Sequence, residues 1–198
     1  MRVTRFRALR SGVAAPLRPF LASIIVALLL ASCAELPFSQ ADAGLEFELR
    51  GRIAVRYRDE AASGNISWRH ALASDEVLIT SALGQGIARI VRDAGQVTLT
   101  TQDGREHRAA DTEALTEQVL GFRVPLAGLA DWVRGKAVPG STVHERRDAA
   151  GRLVELEQAG WKIDYEAWSE DGVRPTRLRL AYPGMELRLA VAEWRAER

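Results

Sequence analysis

Cys33 is the residue of this sequence whose chemical type and surroundings most clearly predict a reaction. It is the only cysteine of the 198-residue chain, and it lies just beyond an apolar run, Phe20 to Ala31, that only Ser23 interrupts. Residues 1–19 contain five arginines and no acidic residue. A basic start, a short apolar segment and small residues at its end are typical of a secretory signal peptide, and the run is too short to span a bilayer stably. The pattern therefore predicts a signal peptide over residues 1–32, with the Cys33 thiol directly after its cleavage site.

The four residues Leu30-Ala31-Ser32-Cys33 resemble the lipobox of bacterial lipoproteins. In that motif the cysteine is diacylated, the signal is cut before it, and the new amine is acylated. The resemblance implies that Cys33 is the lipidation site. An Asp after the cysteine usually marks retention in the inner membrane, so Ala34 favours the outer membrane by resemblance to that sorting rule. An ordinary signal with a stray thiol and an uncleaved membrane anchor are the alternatives.

Other residue types that could support catalysis are not spaced for it. The three histidines, His70, His107 and His144, are far apart and lack the short spacings of metal-binding motifs. Gly84 and Gly86 lie between two predicted strands, so they indicate a turn and not a phosphate-binding loop. A single cysteine allows neither an intramolecular disulfide nor a thiol-rich metal site. We therefore expect no catalytic residue, no metal and no cofactor; a hydrolase with a dispersed Ser-His-Asp set is an open alternative.

The charge of the chain changes when the predicted signal is removed. Residues 33–198 carry 22 of the 27 basic residues and all 26 acidic ones, a net charge of −4. An acidic domain is a poor candidate for binding nucleic acid. Residues 33–44 are small or polar around Pro37 and indicate an acylated cysteine followed by a flexible tether. Residues 45–198 are then expected to form one folded domain.

Period-2 alternation dominates that domain. In the first segment, Phe47 to Tyr57, apolar residues and Gly51 alternate with charged ones, which predicts an antiparallel strand with one wet face. A turn is expected at 59–64. Similar patterns predict further strands at 65–70, 77–82, 87–92, 96–101, 153–158, 161–167, 178–182 and 187–194.

Two short helices are predicted between the two groups of strands. Asp111 can cap the first helix, which ends at Gly121. Pro125 suits the first turn of the second helix, which ends at Gly135. Because every strand is half apolar, the sheet must curl or be covered. We expect a mainly β, α+β fold: a strongly curved antiparallel half-barrel whose apolar face is lidded by the helices.

The chain resembles the LolB family of outer-membrane lipoprotein receptors, within the LolA/LolB-like lipoprotein carriers. The matching residues run through the whole domain, in the same order, behind a lipobox. They are FELRGRIAV at 47–55, SGNISW at 63–68, Leu83-Gly84, Leu120-Gly121, Val124-Pro125-Leu126, Leu129, Trp132, Gly135, QAGWKIDY at 158–165, 175–180 and Trp194.

The resemblance implies eleven antiparallel strands around an apolar cavity. It also implies a function: accepting lipoproteins from a LolA-type periplasmic chaperone, holding their acyl chains, and inserting them into the outer membrane. The protein would be a monomer, lipid-anchored on the periplasmic face. A non-catalytic envelope lipoprotein that scaffolds outer-membrane assembly through protein contacts is the alternative.

Two groups of site residues follow. The family's exposed loop leucine, in a Pro-Leu-Gly context, corresponds to Leu83 beside Gly84, with Ala82 in place of the proline; this would be a membrane-insertion loop. For Leu83 the alternative is a core position that continues the preceding strand. The second group consists of inward-facing apolar residues that could line the cavity or pack an ordinary core. They are Phe47, Leu49, Ile53, Val55, Ile66, Trp68, Trp132, Trp161, Ile163, Tyr165, Leu178 and Leu180.

Overall fold

The structure is a computed structural model that describes residues 44–93, 95–121 and 123–195. Within these residues the chain forms eleven strands and two helices. The strands are β1 (Leu45–Tyr57), β2 (Glu60–Ala71), β3 (Asp75–Thr80), β4 (Gly86–Asp93), β5 (Gln96–Thr101), β6 (Glu106–Ala109), β7 (Val143–Arg147), β8 (Leu153–Gln158), β9 (Trp161–Trp168), β10 (Pro175–Tyr182) and β11 (Met185–Arg195). The helices are α1 (Thr112–Leu120) and α2 (Leu126–Trp132).

All eleven strands belong to one antiparallel sheet in the order β6-β5-β4-β3-β2-β1-β11-β10-β9-β8-β7. The sheet is curved and unclosed, with β6 and β7 as its edges. Both helices lie between β6 and β7 in sequence, so this connection leads from one edge of the sheet to the other. Leu126, Leu129 and Trp132 of α2 join the same buried cluster as the apolar side chains of the strands. The prediction of a mainly β half-barrel covered by helices is confirmed.

Alternation decides which face of β1 is buried. Phe47 and Leu49 are fully buried, whereas Arg50 and Arg52 are exposed. The pairing of β1 with β11 shifts by one residue between Arg50 and Gly51, which is a β-bulge. A side chain at Gly51 would place its Cβ 2.1 Å from the carbonyl oxygen of Ala190, so the close approach of the two strands requires glycine.

The caps that the sequence predicts define α1. The carboxylate of Asp111 accepts a hydrogen bond from the backbone N–H of Ala114 at 2.7 Å, and Gly121 ends the helix at φ +79°. Helix α2 begins after Pro125 and ends at Trp132, earlier than the predicted end at Gly135.

Two parts of the sheet differ from the pattern-based prediction. The turn expected at 59–64 is wrong, because β2 pairs with β1 up to Glu60 opposite Tyr57 and leaves a two-residue turn. The edge strands β6 and β7 were not predicted: burial alternates over only four residues in β6, and in β7 every residue after Val143 is exposed. Backbone hydrogen bonds to β5 and β8 hold these two strands in the sheet, and such bonds cannot be predicted from the alternation of side chains.

Candidate functional site

The twelve residues predicted to line a cavity meet in one apolar cluster on the helix-covered face of the sheet. Ten of them are buried, and Ile53 and Val55 are half-buried and packed against the others. Phe47 packs edge-on against Trp68, with ring centroids 5.2 Å apart, and Trp132 lies 5.8 Å from Trp161. These side chains form the packed core of the domain, and their role in lining a cavity stays a prediction.

Gln158 attaches α2 to the sheet. Its Oε1 accepts hydrogen bonds from Trp132 Nε1 at 2.9 Å and from the backbone N–H of Val138 at 2.8 Å, while its Nε2 donates to the carbonyl of Val138 at 2.9 Å. The hydroxyl of Tyr165 donates to the carbonyl of Trp132 at 2.9 Å. Burial raises the pKa of Tyr165, so this hydroxyl stays a donor at physiological pH. The end of α2 is therefore fixed over strands β8 and β9.

A second buried polar group centres on Asp75, at the start of β3. Its carboxylate accepts from Trp68 Nε1 at 2.8 Å and from Arg92 Nε at 2.6 Å, and it lies 2.6 Å from His70 Nδ1. The side chain of Asp75 is fully buried. Buried charges persist in proteins when they are paired and hydrogen-bonded, so this cluster links β2, β3 and β4 structurally.

Arg134 extends the attachment of α2 towards β1. Its guanidinium pairs with Glu46 at 2.5 Å and with Asp131 at 2.8 Å, and it lies over the ring of Phe47 at 5.6 Å from the centroid. The second helix is thus tied to β1, β8 and β9.

An open groove of about 840 Å³ lies between α1 and strands β4 to β6. Its floor includes Leu99, which belongs to the packed core, while Ile87 and Val119 are more accessible. Apart from Ala88, the rest of the lining is polar or charged: Thr101, Gln102, Asp103, Arg105, His107 and Gln118. The volume falls within the ~300–1,000 Å³ range of small-molecule sites. Its accessible apolar lining, at Ile87, Ala88 and Val119, adjoins the core at the fully buried Leu99.

The loop between β3 and β4 holds one large apolar side chain in solvent. Leu83 is 90% exposed. The backbone N–H of Ser81 donates to the carbonyl of Gln85 at 2.8 Å, and Gly84, at φ +83°, donates to the carbonyl of Ser81 at 3.0 Å. Asn65 Nδ2 also donates to that carbonyl at 3.0 Å. The loop is closed and tied to β2, so the structure places Leu83 at the tip and not in the core.

The three histidines are not brought together. His70 is buried beside Asp75, His107 lines the groove on β6, and His144 is exposed on β7. Within the described part of the chain no group of three or more histidine, cysteine or acidic side chains is arranged to hold a metal ion. In the same part of the chain no helix is both long and apolar enough to cross a bilayer. Cys33 and the predicted signal lie outside the described residues.

The carboxylate pKa that is lowered most among the described residues belongs to Glu155, on the surface of the sheet. Hydrogen bonds from Lys162 at 2.8 Å and Arg146 at 3.0 Å lower the pKa of Glu155 to about 2. An acid that stays ionised this far down the pH scale cannot act as a general acid at neutral pH. Glu155 is therefore part of a surface ion-pair network across β7, β8 and β9.

Four residues of the site were not predicted from the sequence: the groove residues Ile87, Leu99 and Val119, and the polar anchor Gln158. The groove residues come from β4, β5 and α1 and converge only when the helix packs on the sheet. Gln158 opens one of the quoted family segments, and this was the signal that could have drawn attention to it.

Comparisons with known proteins agree with this architecture. Residues 45–194 match the family described as "Outer membrane lipoprotein LolB". The relative "Outer-membrane lipoprotein LolB" of Thiobacillus denitrificans is 39% identical over 163 residues, which cover 82% of this chain and 86% of the relative. The protein of that name from Azoarcus sp. is 36% identical over 189 residues, covering 90% and 97%. Its namesake from Nitrosomonas europaea is 40% identical over 163 residues, covering 80% and 77%.

Among solved structures, the chain is similar to a DUF1329 family protein from Desulfovibrio piger. The TM-score is 0.50 at 9% sequence identity, and the match covers 90% of this chain and 93% of that one. At this identity the similarity concerns the fold alone.

Proposed function

The chain belongs to the LolB family of outer-membrane lipoproteins, and from that premise we propose that it is the membrane-side receptor of a lipoprotein carrier system. The protein is not an enzyme, and it belongs to the outer membrane. In the proposal it accepts a lipoprotein from a LolA-type periplasmic chaperone, holds its acyl chains, and releases them into the outer membrane. It works as a monomer, anchored on the periplasmic face through acylated Cys33.

The observation that carries the proposal is the pairing of a partly apolar groove with an exposed leucine. Burial contributes ~0.8 kcal/mol per CH₂, so a sixteen-carbon acyl chain resists transfer into water by roughly 12 kcal/mol. A carrier must therefore offer an apolar surface before the chain leaves its donor. The groove offers one at Ile87, Ala88 and Val119, and it adjoins the buried Leu99 of the same core cluster as the residues predicted to line the cavity. An acyl chain lies first in the groove and reaches those deeper residues as α1 is displaced.

Leu83 acts in release. It lies 90% exposed on a hydrogen-bonded loop, so its side chain can enter the membrane surface without a change in the fold. Full burial of a leucine contributes about 1.5–3 kcal/mol. Insertion brings the groove and the bilayer together at the moment of transfer.

A transfer assay tests both parts. A radiolabelled lipoprotein is passed from the chaperone to the purified protein and then to vesicles. Leu83→Glu should leave uptake unchanged and slow release at least ~10-fold, since more than about 1.4 kcal/mol of membrane interaction is lost. The matched control is Leu72→Glu. Leu72 is 81% exposed at the opposite end of β3, and its replacement should change neither step.

The groove is tested by Val119→Trp, which fills it with a large side chain, against Ala114→Trp on an exposed position of the same helix. The first change should reduce uptake and the second should not. Equal uptake by both variants would place the acyl chain elsewhere. A wild-type protein that takes up no lipoprotein would favour a scaffolding role through protein contacts.

A further inference from the structure

A second groove, of about 420 Å³, lies on the sheet face opposite the helices. Strand register builds it. In the register of the sheet, Arg52 of β1 and Arg177 of β10 both lie opposite Ala190 of β11. In the next row on the same face, two residues further along each strand, Arg188 of β11 lies opposite Ala54 of β1. Short side chains from β1, β2 and β11 form the floor, and the arginines form the walls. The floor residues are Ala54, Ser63, Gly64 and Ala190.

The charge of this groove is locally unbalanced. Most exposed arginines of the sheet are neutralised by a neighbour, as Arg89 is by Glu76 at 2.7 Å and Arg179 by Asp164 at 2.6 Å. Within residues 44–93, 95–121 and 123–195, no acidic side chain forms an ion pair with Arg52 or Arg177. Arg188 pairs with Glu186 at 2.9 Å, outside the groove lining, and Glu166 is the carboxylate that lines it.

Arg56 adds to this positive surface. It is exposed two rows from Arg52 on the same strand and lines the adjoining hollow with Ala61, Ala62 and Glu186. Glu186 lies opposite it in the pairing of β1 with β11, although no ion pair joins these two described side chains. Across the two hollows four arginines face two carboxylates, Glu166 and Glu186, so this face carries excess positive charge, whereas residues 45–198 have a net charge of −2. Such a patch orients a protein towards an anionic partner.

The position of the groove identifies the partner. Ala82 lines it, and Leu83 at the exposed tip is the next residue, so the cations and the apolar tip share one edge of the molecule. We infer that Arg52, Arg56 and Arg177, with Arg188, form a docking surface for the phosphate groups of anionic membrane lipids. The surface holds the body against the bilayer while Leu83 inserts. This inference extends the proposed function, because it supposes that the body works against a membrane, but it does not depend on acyl uptake.

Each arginine near an anionic bilayer contributes about fivefold to the docking equilibrium, so removing three should weaken docking roughly 100-fold. The test variant is Arg52→Gln/Arg56→Gln/Arg177→Gln. The matched control, Arg146→Gln/Arg147→Gln/Arg152→Gln, removes the same charge around the turn between β7 and β8. Both are made in the full acylated protein and reconstituted into phosphatidylcholine vesicles with and without phosphatidylglycerol.

Docking is measured by fluorescence quenching. A fluorophore is attached to Ser63→Cys, in the floor of the groove, and the vesicles contain a lipid that carries a nitroxide quencher on its headgroup. A fluorophore on Ala149→Cys, on the turn at the other edge, is the reference position. We expect quenching at position 63 only with phosphatidylglycerol. It should be lost in the test variant and at about 1 M salt, where screening is strong, and kept in the control.

Several results would overturn the inference. Quenching that is the same in neutral and anionic vesicles, or in the test variant and wild type, would exclude recognition by charge. Normal docking of the test variant combined with lost uptake from the chaperone would assign the arginines to an acidic protein partner instead. Uptake is measured in parallel, so a failure of uptake in every protein would count against the proposed function and leave the docking result readable.

Discussion

Replacing Gln158 tests whether the core or the cargo holds α2 in place. Gln158 is 3% exposed and makes three hydrogen bonds, to the indole N–H of Trp132 and to both backbone groups of Val138. Gln158→Ala leaves two donors and one acceptor buried without these partners. At about 1 kcal/mol for each bond, the free energy of unfolding should fall by about 3 kcal/mol. That is a large part of the ~5–15 kcal/mol by which domains are stable.

The assay is equilibrium urea unfolding of the cargo-free protein, followed by tryptophan fluorescence. A loss of about 3 kcal/mol corresponds to a fall in Tm of roughly 10 °C for a domain of this size. The control is Gln102→Ala, at an exposed position of the turn after β5, which should stay within ~0.5 kcal/mol of wild type. Trp132→Phe completes a double-mutant cycle, because it removes the donor of only one of the three bonds, and a coupling energy near 1 kcal/mol is expected.

A destabilisation below about 1 kcal/mol, or no coupling to Trp132→Phe, would refute the reasoning. It would mean that water replaces Gln158 and that α2 is not fixed by this residue. A large destabilisation that disappears when acyl chains are bound would mean that cargo, and not the core, keeps the helix in place.

Two further predictions concern the sheet. Ion pairing lowers the pKa of Glu155 from its ordinary 4.5 to about 2, so ionised Glu155 contributes stability above about pH 4.5 that is lost as the pH falls towards 2. The variant Glu155→Gln should therefore flatten the dependence of Tm on pH between 4.5 and 2. An unchanged slope would contradict this prediction. Gly51→Ala would place a Cβ 2.1 Å from the carbonyl oxygen of Ala190 and should lower the free energy of unfolding by at least about 2 kcal/mol. The control Gly86→Ala, whose Cβ meets nothing within 4 Å, should unfold like wild type. Equal stability of the two variants would contradict the close approach of β1 and β11.

Alternation of apolar and polar residues predicts strands that have one buried and one solvent-exposed face, and the central strands were predictable for that reason. In β1 the alternation of Phe47 and Leu49 with Arg50 and Arg52 continues as alternating burial. The edge strands β6 and β7 have mostly exposed side chains. Their backbone bonds to a single neighbour hold them in the sheet, and no residue pattern records such bonds.

The candidate site was predictable only where a local feature determined it. Gly84 beside Leu83 indicated a tip, and the hydrogen bonds around Ser81 place Leu83 there. The groove has no local signature, since Leu99 and Val119 lie on different elements and meet only after α1 packs on β5. The arginine surface has none either, because Arg52 and Arg177 become neighbours only through the register of β1, β11 and β10.

The two helices are attached to the core in different ways, and only α1 borders the open groove. Helix α2 is held by Gln158, Tyr165 and Arg134 and contributes Trp132 to the packed core. Helix α1 contributes the fully buried Leu115 and Thr116 to the interior, is tied to β1 by the hydrogen bond from the Tyr57 hydroxyl to the carbonyl of Gly121, and borders the open groove. In the proposed function an acyl chain enters at the groove, where Val119 of α1 is only half-buried, and Leu115 must be displaced before the chain reaches the core. The proposed release into the bilayer, where every CH₂ of the chain is buried, would return the protein to its cargo-free state.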